Sequence, residues 1–251
     1  MNSIECTDAF YFLSCIQDES VDMILTDPPY ASLEKHRKKG TTTRLKKSKG
    51  SSNEWFDILA NEQLPLIMKE FYRVLKKNTH CYMFCDQETM FLLKDFGEKA
   101  GFTFHKPLIW NKVILGMGYH YRAQYEVIMF FEKGKRKLND FSVPDVFNSF
   151  YTYTDTGIKN IELPEVLFCS RLNPKRSYPA EKPINLLSAL VIQSTKENEL
   201  ILDPFCGSGS TGIASAISGR SFLCCDKSKK MVRIASQRIA DIELAKKPKQ
   251  Q

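Results

Sequence analysis

The stretch LILDPFCGSGSTGIASA, residues 200–216, constrains the fold of this chain more than any other. An apolar run enters Gly207-Ser208-Gly209, and small residues then continue at helical spacing. Glycines between a strand and a helix permit a sharp turn and close approach of a ligand to the backbone. The helix N-terminus beyond them favours polar or anionic groups. Gly207, Gly209 and Gly212 satisfy the spacing G-x-G-x-x-G, and no lysine follows them as a phosphate-binding P-loop would require. The next apolar run, SFLCCD, ends at Asp226, 23 residues beyond Asp203. Folds built this way hydrogen-bond ribose hydroxyls with an acid at that place. The unit therefore suits an adenosine-containing cofactor. These residues do not separate a nicotinamide dinucleotide from S-adenosylmethionine, and a helix cap or surface turn would also account for Asp226.

The rest of the chain fits an α/β fold with a mainly parallel sheet, because strand-like and helical runs alternate. VDMILT (21–26) reads as a short buried strand, and 60–78 as a helix through Leu64, Ile67, Met68, Phe71 and Leu75. HCYMFC (80–85) reads as a strand, and 88–101 as a helix closed by Gly101. Residues 102–112 and 125–134 are rich in β-formers. A helix at 183–195, a strand at ELILD, the helix STGIASAIS, the strand SFLCCD and a last helix complete the pattern. From about 135 to 180 the periodicity fails, although aromatic residues remain frequent there. A segment that long in a compact domain calls for a functional reading.

A second turn bears chemistry. TDPPY (26–30) closes the strand VDMILT, so Asp27 falls at the carboxyl edge of the sheet, where open α/β folds place their ligands. Pro28 and Pro29 remove two backbone donors and stiffen the turn. The Asp27 carboxylate and the proline carbonyls then form a cluster of acceptors beside the aromatic face of Tyr30. Such a cluster suits an exocyclic amine on a flat heterocycle, which presents two N–H donors and a ring to stack. Acceptors that bind those hydrogens would localise the nitrogen lone pair and stabilise positive charge developing on nitrogen.

Charge is placed as specifically as the turns. Residues 31–53 hold Lys35, Arg37, Lys38, Lys39, Arg44, Lys46, Lys47 and Lys49 against Glu34 alone, an excess equal to the whole net charge of +7. One basic loop on an otherwise neutral body points to phosphate contact. The 8 cysteines include no C-x-x-C pair, and several lie inside apolar runs where a thiol acts as a small hydrophobe. Neither a metal site nor a disulfide framework is expected, which suits the reducing cytoplasm. No apolar run approaches the roughly 18 residues of a membrane span.

Taken together, these residues resemble the S-adenosylmethionine-dependent DNA amino-methyltransferases, in the circularly permuted β class whose catalytic motif precedes its cofactor motif. TDPPY matches the catalytic motif, which marks Asp27, Pro28, Pro29 and Tyr30. DPFCGSGST (203–211) matches the cofactor turn, marking Asp203, Pro204, Phe205, Cys206, Gly207, Ser208, Gly209 and Ser210. GRSFLCCD (219–226) matches the strand and acid at the ribose, with Asp226 and Lys227. AEKPINLL (180–187) resembles the helix that closes the cofactor pocket and marks Lys182. CTDAFYFL (6–13) resembles the turn at the cofactor's adenine, with Asp8, Ala9 and Phe10. Asp27 is also implied at the cofactor.

The resemblance implies a methyltransferase-type Rossmann-like fold, permuted in sequence and running 1–251 as one domain. The basic loop is then an insertion at 31–54, and 135–178 is a target-recognition region. Double-stranded DNA is the implied partner, gripped by the eight basic residues of the loop and by His120, Tyr121 and Arg122. A homodimer and a cognate restriction endonuclease are further partners that the family allows. The implied reaction moves a methyl group from S-adenosylmethionine to the exocyclic amine of a flipped-out adenine in bacterial or phage DNA. Asp at the head of the motif favours adenine over cytosine, the nearer alternative, with RNA behind it. A nicotinamide oxidoreductase leaves Asp-Pro-Pro-Tyr unexplained, and a non-catalytic nucleic-acid-binding protein leaves both turns unexplained.

Overall fold

The strand at 21–26 is buried along its whole length, and this sets the layering. Ile24 enters one apolar cluster, while Met23 and Leu25 enter another on the opposite side. A strand with two buried faces must lie inside a sheet that is covered on both sides. The computed structural model describes residues 2–31, 58–112, 115, 120–148, 151–154, 157–160 and 181–246, with backbone alone at 151–154, 157–160 and 243–246.

Among these residues the strands are β1 (Asn2–Cys6), β2 (Val21–Thr26), β3 (Leu75–Cys85), β4 (Thr103–Asn111), β5 (Tyr125–Lys133), β6 (Val146–Asn148), β7 (Tyr151–Thr154), β8 (Gly157–Asn160), β9 (Leu200–Asp203) and β10 (Ser221–Asp226). Eight of them form one sheet in the order β1-β10-β9-β2-β3-β5-β4-β6, and β7 pairs with β8 apart from it. From β1 to β3 every pairing is parallel; β5 runs antiparallel to both β3 and β4. Helices α1 (Ala9–Ser14), α2 (Leu64–Val74) and α3 (Thr89–Ala100) feed the cluster around Ile24. Helix α4 (Ile184–Ser194) feeds the cluster around Met23 and Leu25, together with Ala214 of α5 (Ser210–Ile217). Helix α6 (Lys229–Lys246) is the last element among the described residues. No helix among the described residues is long and apolar enough to cross a membrane.

The alternation of strands and helices follows the sequence reading, with one boundary to correct. The helix expected over 60–78 is a 3-10 turn (Asn61–Gln63) and α2, and it stops at Val74. Its last carbonyls are taken by the chain entering β2: Glu19 N–H donates to Arg73 O at 3.0 Å and Ser20 N–H to Val74 O at 2.9 Å. Leu75 then turns extended and pairs with Val21, so the basic stretch before the expected strand belongs to β3. Gly101 closes α3 at φ 109°, a left-handed conformation that glycine adopts without steric penalty. The long aperiodic segment contributes β6 to the sheet edge, and β7 and β8 as a hairpin.

Candidate active site

The carboxyl ends of the parallel strands share one edge of the sheet, and the candidate residues follow one another along it. Thr7 N–H, just past β1, donates to Asp226 O at 3.2 Å, bringing Asp8, Ala9 and Phe10 beside the end of β10. Next come Asp203 and the glycine turn after β9, then Asp27 after β2. Antiparallel β5 begins where β3 ends, with Val127 opposite Cys85, which places Glu126 at the same edge. The chain leaves β2 toward β3 and β9 toward β10, in opposite directions, so a topological switch point lies between these neighbours. Open α/β sheets bind ligands in the crevice at such a point.

Asp203 ties the two turns together across this crevice. Its buried Oδ1 accepts from Thr26 Oγ1 at 2.7 Å and from Phe205 N–H at 3.1 Å. Thr26 directly precedes Asp27, and Phe205 belongs to the glycine turn, so one carboxylate registers one turn against the other. Burial pushes its pKa up to about 6, against the opposing hydrogen bonds of Thr26, Thr211 and Phe205. This is a different post from the cofactor contact expected of it. Cys206 likewise turns inward, beside Ile213, Phe222 and Cys224, and Pro204 is buried with its carbonyl 3.3 Å from Cys225 Sγ.

Around Asp27 the structure assembles an acceptor site with its own counter-ions. The Tyr30 hydroxyl donates to Asp27 Oδ1 at 2.8 Å, and Lys182 Nζ lies 2.5 Å from Oδ2. Tyr30, expected to stack on a ring, is thus also a fixed hydrogen-bond partner of the carboxylate. Burial first, then the charge of Asp27, pushes the phenol well above its ordinary range, so it remains a donor. The Pro29 carbonyl accepts from Leu59 N–H at 2.7 Å and is not spare, whereas no described donor reaches the Pro28 carbonyl. Lys182 also lies 3.1 Å from Glu126 Oε2 and 4.9 Å from the centre of the Phe84 ring. Lys112 pairs with the other oxygen of Glu126. Burial alone would raise Glu126, but the Lys182 and Lys112 ammonium groups outweigh it and hold its pKa down to about 2. Lys182, expected at the cofactor, therefore stands on the carboxylate of the catalytic turn.

On the cofactor side, Asp226 accepts from Gly207 N–H at 3.0 Å and from Ser228 N–H at 2.8 Å. Burial raises its pKa, with these two bonds opposing. Asp8 caps α1, accepting from Phe10 N–H at 2.9 Å, and Lys227 is exposed beside Asp226. Two observations leave room for a bound cofactor here. Ser210 Oγ is buried at the start of α5 with no partner among the described residues, and nothing lies within 4 Å of where a Cβ on Gly207 would stand.

Sequence reasoning missed Glu126, Lys112, Glu181 and Arg238. Arg238 donates to Ser208 O at 2.7 Å and Oγ at 3.0 Å, and pairs with Glu181, next to Lys182. It clasps the glycine turn to the segment that delivers Lys182. Only Glu126 had a visible signal, as a carboxylate at the head of a buried apolar strand. His120, Tyr121 and Arg122 are exposed on the connection between β4 and β5, Tyr121 at 99%. The basic residues from Lys35 to Lys49 lie outside the described residues.

The two glycines of the turn make different predictions. Both have positive φ, 50° at Gly207 and 82° at Gly209, so alanine at either costs about 1–2 kcal/mol of left-handed strain. At Gly209 the new Cβ would also meet Ala235 Cβ at 2.7 Å, adding about 1–3 kcal/mol of overpacking. Gly209→Ala is expected to unfold at clearly lower urea than Gly207→Ala. Gly207→Ala is expected to weaken S-adenosylmethionine binding out of proportion to its stability loss, measured by calorimetry.

A parallel sheet with one reversed strand, a glycine turn and acid at neighbouring strand ends, and an acceptor turn across the switch point define a methyltransferase of the Rossmann-like class. The sequence model of the DNA methylase family, covering N6 and N4 methyltransferases, matches residues 21–237, and the chain belongs to that family. Over 247 residues it is 26% identical to type II methyltransferase M2.DpnII of Streptococcus pneumoniae, covering 93% of this chain and 87% of the relative. Over 255 residues it is 26% identical to DNA adenine methyltransferase YhdJ of Escherichia coli (strain K12), covering 92% and 80%. Among solved structures it resembles the complex of M1.HpyAVI with SAM, at a TM-score of 0.61 and 19% identity, covering 95% of this chain and 98% of that one. The cytosine-N4-specific PvuII DNA methyltransferase superposes at 0.64 with 16% identity, covering 96% and 90%.

Proposed function

We propose that this DNA methylase transfers a methyl group from S-adenosylmethionine to the exocyclic N6 amine of adenine, flipped out of double-stranded DNA at a specific site. The observation that carries this reading is the Asp203 bridge, which sets the acceptor turn at Asp27 against the glycine turn across the switch point. Asp226, the backbone from Gly207 to Ser210 and the segment Asp8–Phe10 would hold the cofactor. When bound, S-adenosylmethionine supplies a methyl group on a cationic sulfur. The chain's own part is to prepare the amine. Asp27 and the Pro28 carbonyl accept its two hydrogens, which localises the nitrogen lone pair, and the same acceptors stabilise the charge that develops there. Support for adenine comes from Asp at the head of the motif and from the likeness to YhdJ; the fold is common to a cytosine-N4 enzyme and does not discriminate.

The test is incubation of the protein, S-adenosylmethionine and unmethylated DNA, followed by nucleoside mass spectrometry. Methylated deoxyadenosine is expected; methylated deoxycytidine would move the assignment to cytosine, and no modified base despite intact cofactor binding would end the reading. The DNA grip is assigned to Lys35, Arg37, Lys38, Lys39, Arg44, Lys46, Lys47 and Lys49 with His120, Tyr121 and Arg122, and target choice to 135–178. Replacing four of the loop lysines by glutamine is expected to reduce the slope of log K against log salt by about 0.9 for each phosphate no longer neutralised. An unchanged slope would remove the loop from the interface. The same reading places the enzyme on DNA in the bacterial cytoplasm, as one domain, with restriction partnership and dimerisation to be decided by co-purification.

A further inference from the structure

Two side chains, Tyr30 from the same turn and Lys182 from far along the sequence, converge on the Asp27 carboxylate, one on each oxygen. Tyr30 occupies Oδ1 of Asp27 and Lys182 occupies Oδ2. The proposed reaction needs an Asp27 oxygen for the target amine. The Lys182 ammonium is a tetrahedral cationic nitrogen with N–H donors, so it resembles the methylated amine at the end of transfer and competes for the same acceptor. Oδ2 can accept a second hydrogen bond, but an ammonium 2.5 Å away draws on the electron density the amine needs, so the acceptor is strongest when the ammonium leans away. Displaced into a mostly buried cluster without a new partner, it would be an unpaired cation, which is strongly unfavourable.

The structure holds the alternative partner ready. Glu126 Oε2 is 3.1 Å from the same Nζ, so the ammonium already bridges the two carboxylates and sits nearer to Asp27. The Phe84 ring beneath the ammonium attracts it whichever carboxylate it faces. Lys112 stays on the other side of Glu126, and the Arg238–Glu181 pair fixes the backbone beside Lys182. Asp27, Glu126, Lys112, Tyr30 and Phe84 are the described groups that face this exchange.

Resting on the proposed function, we infer that Glu126 is a positioning residue for the transfer: it receives the Lys182 ammonium when the target amine takes Oδ2 of Asp27. No covalent bond changes in this step; an ion pair moves from one carboxylate to the other. Without Glu126 the lysine stays wholly on Asp27 and weakens the acceptor. Without Lys182 there is nothing to move, so the loss of Glu126 should matter much less.

That sign of coupling is the test. Glu126→Gln, Lys182→Met and the double variant are compared by tritiated methyl incorporation into unmethylated plasmid DNA. Calorimetric S-adenosylmethionine binding and thermal unfolding are measured beside it. Glu126→Gln is expected to lower kcat/KM for DNA by roughly 10–100-fold, a size typical of coupled contacting residues, with cofactor affinity within about threefold. The double variant is expected to recover several-fold over Glu126→Gln. A double variant no faster than Glu126→Gln, or a loss of cofactor affinity as large as the loss of rate, would overturn the inference. Should Glu126→Gln fail to fold, Glu126→Asp takes its place: the shortened acceptor must slow transfer, and Lys182→Met must recover it. A wild-type protein that modifies no DNA would instead sink the underlying function.

Discussion

Asp27→Ala is expected to slow methyl transfer by at least about 10²–10³-fold, the usual loss when one preorganised charge-stabilising group is removed. The substitution deletes the one carboxylate that the turn presents beside the Pro28 carbonyl, so half of the amine's acceptors disappear. The fold should survive. Asp27 lies on the rim of the sheet, and the Lys182 ammonium keeps a carboxylate at 3.1 Å in Glu126. Cofactor affinity should change little, because Asp226 and the glycine turn are held by contacts that do not involve Asp27. Single-turnover transfer and calorimetry on the same preparation check both halves. A variant that keeps more than a tenth of the rate would move the role of principal acceptor to another group.

The second large effect belongs to Asp203 and reads out in stability. Its pKa is about 6 in the fold, chiefly through burial, against about 3.9 in an unfolded chain. Between those values the native state binds more protons than the unfolded state. Stability contributed by this group therefore falls as pH rises from about 4 to about 6, and is flat above that. Two pH units correspond to about 3 kcal/mol as an upper figure. Asp203→Asn keeps an acceptor oxygen for Thr26 and Phe205 while removing the charge. It is expected to match or exceed the wild type at pH 7.5, by up to about 3 kcal/mol, with the advantage vanishing near pH 4. Asp203→Ala leaves buried donors unsatisfied, at about 1–3 kcal/mol each, and lets the two turns drift. Urea denaturation at pH 4, 5.5 and 7.5 decides it; an advantage of asparagine that grows toward low pH would refute the account.

Much of the fold is visible in the sequence because it is locally encoded. The glycine turn is announced by residues that touch one another in sequence, and Asp-Pro-Pro-Tyr needs no partner to be a stiff acceptor turn. The end of α2 is different, since helical spacing continues through Leu75 while the cap at Arg73 and Val74 comes from Glu19 and Ser20, more than fifty residues earlier. The destinations of Lys182 and Asp203 were equally hidden. Asp203 reaches Thr26 because β9 is laid beside β2, and Lys182 reaches Asp27 and Glu126 because α4 packs across β2 and β5. Arg238 sits in an ordinary charged helix and gives no local sign that it grips Ser208. Periodicity reports which face of an element is buried, and says nothing about which distant element lies there.

The strand order carries a consequence for how the molecule is made. β1 and β2 leave a ribosome long before β9 and β10, yet in the finished sheet β10 and β9 stand between them. The gap is filled about 200 residues later, which at 5–20 residues per second is on the order of 10–40 s. Through that interval β2 has no neighbour on one side, and its apolar face toward α4 and α5 has nothing to cover it. The sheet therefore closes only when β9 and β10 arrive, and the half of the site that performs the chemistry waits, exposed, for the half that holds the methyl donor.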